Sequence, residues 1–104
     1  MSKVAMIVRS KAQPGKREEI RLAYEQRLAP RAEDNEAQEL VLWAADEHDA
    51  DAFYLVEVYR DRPAMEENGR APWFFEYLGV VGPLLDGQPE VMTATPTWAK
   101  GIAL

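Results

Sequence analysis

Three features of the 104-residue sequence predict an α+β domain with its elements in the order β-α-β-β-α-β. Alternating or short apolar runs mark four strand-like segments, helical spacing marks two stretches between them, and proline and glycine punctuate the junctions. The length is near the size mode for one folding unit, so a single domain over residues 1–104 is expected.

The first element is Lys3 to Lys11. Val4, Met6 and Val8 lie on one side and Ala5 and Ile7 on the other, which describes a strand apolar on both faces. Pro14-Gly15 interrupts it. Lys16 to Ala29 then recurs at helical spacing through Ile20, Ala23, Tyr24 and Leu28, with Glu18 and Glu19 in the first turn, where the helix dipole favours acids. Pro30 is expected to close this helix, and a polar loop to follow. Glu39 to Ala45 and Ala52 to Arg60 read as an antiparallel hairpin over the turn Asp46 to Asp51. On the later strand Tyr54, Val56 and Val58 share one face, and Phe53, Leu55, Glu57 and Tyr59 the other, where Glu57 is the odd member.

Pro63 suits the first turn of a helix running to Asn68, Gly69 stops it, and Pro72 starts another turn carrying Trp73, Phe74, Tyr77 and Leu78. The second helical region is therefore expected to be broken. Gly79, Gly82 and Pro83 are expected to unwind it, Gly87 and Pro89 to turn the chain, and Glu90 to Thr95 to form the last strand. This order matches the ferredoxin-like split βαβ: a four-stranded antiparallel sheet with two helices on one face. Strands apolar on both sides need a second cover, and two sheets paired face to face in a homodimer, a dimeric α/β barrel, would supply it. The tail 96–104 carries Trp98, Ile102 and Leu104 and is expected to lie across the partner subunit.

Composition narrows the chemistry. The absence of cysteine excludes disulfides, thiolate metal sites and cysteine nucleophiles, and fits a reducing cytoplasm. His48 is the single histidine and sits among Asp46, Glu47, Asp49 and Asp51 in a stretch that lacks the glycine and terminal glutamate of a calcium loop, so a solvated acidic turn is expected and no metal. A net charge of −6 argues against binding to nucleic acid or anionic membrane. The charges are uneven: residues 1–31 hold eight Lys or Arg and three acids, whereas Glu33 to Asp51 hold eight acids and no Lys or Arg. The longest apolar run, Leu40 to Ala45, is far short of the roughly 18 residues that span a bilayer, and no basic-then-apolar leader opens the sequence. Neither Ser2 nor Ser10 sits in a nucleophile elbow, and no glycine-rich phosphate loop exists, so nucleotide cofactors are not indicated.

The segment Tyr59 to Leu78 concentrates aromatic rings and a few polar groups beside the helix break, the mixture from which pockets are made. There Asn68, Arg70 and Trp73 are expected to approach the gap between helices and sheet. The plainer alternative is that Asn68-Gly69 only caps a helix and that Trp73, Phe74 and Tyr77 are core.

Four segments carry a resemblance: Pro14-Gly15-Lys16 opening the first helix, FYLVEVYRD (Phe53 to Asp61) before a helix, APWF (Ala71 to Phe74), and the glycine-proline turn before the last strand. Over residues 3 to about 95 the sequence resembles the antibiotic biosynthesis monooxygenase domain family of dimeric α/β barrels. The resemblance implies a homodimer with one pocket per subunit that oxidises a phenolic or quinol-type ring with O2, without metal, flavin or haem. It places the catalytic asparagine and tryptophan of polyketide-tailoring members at Asn68 and Trp73. Asn68 would donate its amide to a substrate carbonyl or phenolate, and Trp73 an indole N–H beside a flat apolar wall. Arg70 would pair an anionic substrate, Phe74 and Tyr77 would form the aromatic wall, and Glu57 and Tyr59 would line the pocket or relay a proton. Two departures stand out: many relatives carry histidine where this chain has Asn68, and Trp73 lies five positions after Asn68 rather than one clean helical turn. Related haem-degrading barrels need an axial histidine on the second helix, and this chain has none there. The other readings on the same scaffold are a noncatalytic small-ligand-binding barrel, and a polyketide cyclase or mutarotase using Glu57 with Tyr59.

Overall fold

In the computed structural model, which describes residues 2–104, the alternating N-terminal segment is strand β1 (Val4–Lys11). The hairpin follows as β2 (Gln38–Ala45) and β3 (Ala52–Tyr59), and the last strand is β4 (Glu90–Ala94). All pairings are antiparallel, in the order β2-β3-β1-β4. This is the expected ferredoxin-like arrangement, with β1 and β3 at the centre of the sheet.

Helix α1 (Arg17–Arg27) is followed at once by a short helix α2 (Ala29–Asp34), which corrects the reading of Pro30 as a terminator and of the next residues as a loop. Pro30 lies in the first turn of α2, where its missing N–H leaves no helical bond unmade. The second helical region is broken as expected, into α3 (Arg62–Gly69) and α4 (Pro72–Val81). The Asp61 side chain caps α3 by accepting from the Ala64 N–H at 2.9 Å. Gly79 does not unwind α4, which continues to Val81 before a single 3-10 turn, Gly82–Leu84. Buried Tyr77 and Val81 hold that last turn on the core, and this outweighs the cost of about 1 kcal/mol for a glycine inside a helix.

The acidic turn is a hydrogen-bonded loop. Asp46 Oδ1 accepts from the His48 and Asp49 N–H groups, both at 2.8 Å, and its Oδ2 accepts from the Tyr54 hydroxyl at 2.6 Å. These bonds, Tyr54's first, hold the Asp46 carboxyl below the usual carboxylate range. From α1 the Arg17 guanidinium donates to the carbonyls of Asp46, Asp49 and Ala52 at 3.2, 2.9 and 3.1 Å, so the helix clamps the hairpin turn. Among the described residues no three or more His, Asp or Glu side chains come together as a metal-holding group, and no helix is long and apolar enough to cross a membrane.

The core is divided. One cluster joins Ile20, Tyr24 and Leu28 with Phe53, Tyr77 and Val81, and the other joins Val4, Tyr59 and Ala64. Neither fills the middle of the layer between helices and sheet. On the other side of the sheet Leu42 and Met92 are about half exposed, and in the tail Trp98 is 81% exposed.

Candidate functional site

Between the two core clusters lies a cavity of about 360 Å³, walled by both of them and by the cavity-facing side chains of β1 and β3. Alternation decides which strand residues reach it. Met6 and Val8 of β1, and Phe53, Leu55, Glu57 and Tyr59 of β3, share the face that looks towards the helices. The helix break supplies the opposite wall. Ala71 is extended because Pro72 follows it, so the chain turns between α3 and α4, and Asn68 ends up beside Trp73, with Phe74 and Tyr77 further along α4.

The cavity is largely apolar, and one side of it carries a connected set of hydrogen bonds. There Gln38 Nε2 donates to Glu57 Oε1 at 2.7 Å, and the Tyr59 hydroxyl donates to the same oxygen at 2.9 Å. Tyr59 Oη in turn accepts from Gln38 Nε2 at 3.1 Å and from Asn68 Nδ2 at 2.9 Å. Asn35 Nδ2 extends the chain towards Asn68 Oδ1 at 3.4 Å. Glu57, Tyr59, Asn68 and Gln38 thus form one connected group whose members come from β2, β3 and α3.

A backbone irregularity puts Gln38 there. The β2–β3 register shifts between Gln38 and Leu40, so Gln38 pairs with Tyr59 and faces the cavity although Leu40 faces the other way. Burial pushes the Glu57 carboxyl up, and the hydrogen bonds from Tyr59 and Gln38 only partly oppose this. Burial likewise raises the phenols: Tyr77 is pushed up to about 12, and Tyr24 and Tyr59 are raised as well, both with a contribution from the charge of Glu57. The tyrosines are therefore neutral donors at physiological pH.

Of the residues singled out from the sequence, Asn68, Trp73, Glu57, Tyr59, Phe74 and Tyr77 line this cavity together. Arg70 does not join them. It is exposed at the C-cap of α3, where the backbone has already left the helix, and it lines neither this cavity nor the second one described below. Gln38 and Tyr24 also line the cavity and Asn35 bonds Asn68, although no pattern in the sequence marks these three as site residues. A second, more polar cavity of about 350 Å³ lies beyond the first and shares Asn68 and Trp73 with it. Its walls include Arg31, whose guanidinium stands 5.6 Å from the centre of the Trp73 ring.

A ferredoxin-like sheet with an apolar cavity under a broken helix defines the architecture of this α+β domain. The model of one family, antibiotic biosynthesis monooxygenase, matches residues 3–74, and the chain belongs to that family. Solved structures agree on the fold. A candidate antibiotic biosynthesis monooxygenase from Caulobacter crescentus is 18% identical, with a TM-score of 0.86 over 93% of this chain and 92% of that one. Another from Chloroflexus aurantiacus is 20% identical, with a TM-score of 0.83 over 98% and 100%. Rv0793 from Mycobacterium tuberculosis is 29% identical, with a TM-score of 0.78 over 94% and 98%. No curated protein gives a significant match.

Proposed function

We propose that this protein is a homodimeric, cofactor-independent monooxygenase of the cytoplasm that oxidises a phenolic or quinol-type aromatic ring with O2. The observation that supports it is the largely apolar cavity of about 360 Å³ with the connected Gln38, Glu57, Tyr59 and Asn68 side chains along one wall. A flat ring lies against Trp73 and Phe74 with its oxygen towards Asn68. One N–H of the Asn68 amide bonds Tyr59, and the other donates to the substrate oxygen, a bond that strengthens as negative charge develops there. The substrate is the reductant. Once deprotonated it is electron-rich enough to reduce O2, and the apolar walls keep water away from the anion. One oxygen atom joins a substrate carbon and the other leaves as water, with the ring CH2 of the substrate's keto tautomer becoming C=O and supplying the four electrons.

A second copy of the chain fits the uncovered side of the sheet, where Leu42 and Met92 are about half exposed, and would give the 81%-exposed Trp98 something to pack on.

The test is O2 uptake by metal-free protein offered anthrone and 1,4-naphthoquinol. Uptake is expected. Quenching of tryptophan fluorescence by the same compounds without uptake would instead identify a noncatalytic binding barrel. The buried Glu57–Tyr59 pair favours the cyclase or mutarotase reading as runner-up, and turnover without oxygen consumption would select it. In the oxygenase, Asn68→Ala is expected to lower kcat by about 100-fold while KM changes by less than about threefold. An unchanged rate would remove Asn68 from the mechanism.

A further inference from the structure

We propose that Glu57 is the general base of this cavity, with Oε2 as the atom that takes a proton from the substrate's acidic C–H or O–H group. The two carboxylate oxygens are placed differently. Oε1 is anchored, accepting from both Gln38 and Tyr59. Oε2 accepts nothing from the described residues, yet it is not sealed away: the one buried polar side-chain atom among them without a partner is Trp43 Nε1. Oε2 therefore opens on the cavity that Glu57 lines.

A purely structural role does not account for an acid here. Glu57 is 7% exposed, and no Lys, Arg or His of the described residues pairs with it or lines the cavity. The ionisable groups facing it are the phenols of Tyr59 on its own strand, Tyr24 on α1 and Tyr77 on α4, none of them a cation. Glutamine would accept the same hydrogen bonds without the cost of burying an unpaired charge. A carboxylate at this position gains its use from accepting a proton, and burial raises its proton affinity towards that of the group it must deprotonate.

This rests on the oxygenase reading and completes its proton balance. The substrate C–H bond breaks, the electron pair stays on the substrate, and the proton forms an O–H bond on Oε2. The negative charge moves from carboxylate to substrate, so the cavity never holds two anions. After O2 adds to the carbanion, the protonated Glu57 returns its proton to the substrate peroxide, and loss of water leaves the carbonyl. Tyr59 and Gln38 are positioning residues that keep Oε1 turned away from the substrate.

The decisive measurement is anaerobic exchange of the anthrone C10 hydrogens with D2O, followed by NMR. Wild-type protein is expected to accelerate it over buffer, and Glu57→Gln to lose at least about 100-fold of that acceleration while anthrone still quenches its fluorescence. If the variant does not fold, the pH profile of the wild type decides. Its exchange rate should rise through one ionisation above the ordinary glutamate value of about 4.3. Exchange by Glu57→Gln at the wild-type rate, a flat wild-type profile, or no wild-type acceleration overturns the assignment. Because no oxygen is present, exchange without aerobic O2 uptake would sink the oxygenase reading and leave Glu57 as a base. Uptake without exchange would do the reverse.

Discussion

Phe53→Ala is expected to lower the unfolding free energy by about 3–5 kcal/mol, the range for deleting a buried aromatic side chain. Phe53 is 3% exposed and stacks on Trp43 with ring centres 4.7 Å apart and planes 13° from parallel. It also belongs to the cluster that joins the hairpin to α1 and α4, so its loss weakens three elements together. A domain of this size has only about 5–15 kcal/mol in total, and the melting temperature should fall by about 15 °C or more. The informative control is Phe75→Ala on the outer side of α4, where the ring is 57% exposed and the cost should stay below about 1 kcal/mol. Thermal unfolding followed by circular dichroism reads both, and equal losses would mean that the core has been placed wrongly.

The parts of this fold legible in the sequence are those that local rules govern. Period-two patterning places the β3 residues on their correct faces, and Pro63, Gly69 and Pro72 mark the break between α3 and α4. Ambiguity enters where one residue satisfies two rules. Pro30 fits the end of one helix and the first turn of the next equally well, and only the chain's return towards β2 decides between them.

The site was half legible for a similar reason. Glu57 and Tyr59 follow from alternation along one strand, but Gln38 reaches them through a bulge, which inverts the alternation that would have put it on the far face. The one signal available was a polar residue just ahead of an apolar strand, and that is ordinary in loops. Asn35 and the Arg17 clamp act across separations of 33 residues and of 29 to 35 residues, which no local pattern encodes. Arg70 lies close to Asn68 in sequence, but α3 ends at Gly69 and the chain leaves the helix at Arg70, which lines neither of the two cavities described.

Val8→Trp should abolish ligand binding while leaving the protein folded. Val8 sits in the middle of β1, paired with Leu55 on one side and Val91 on the other, and its side chain enters the cavity. Inserting bulk into a close-packed core ordinarily costs about 1–3 kcal/mol because neighbours must move. Here the indole meets open space, so that cost is largely avoided and new dispersion contacts with the walls offset the rest. The melting temperature is therefore expected to shift by only a few degrees. Anthrone affinity, read by quenching, should fall by at least about 100-fold, equivalent to about 2.7 kcal/mol, and oxygen uptake should fall with it. The second cavity gives this experiment its discriminating power, since it shares Asn68 and Trp73 with the first but not Val8. Retained binding by a folded Val8→Trp protein would move the ligand to the Arg31 side of Trp73, and with it would go the contact between substrate and Glu57, which lines only the inner cavity.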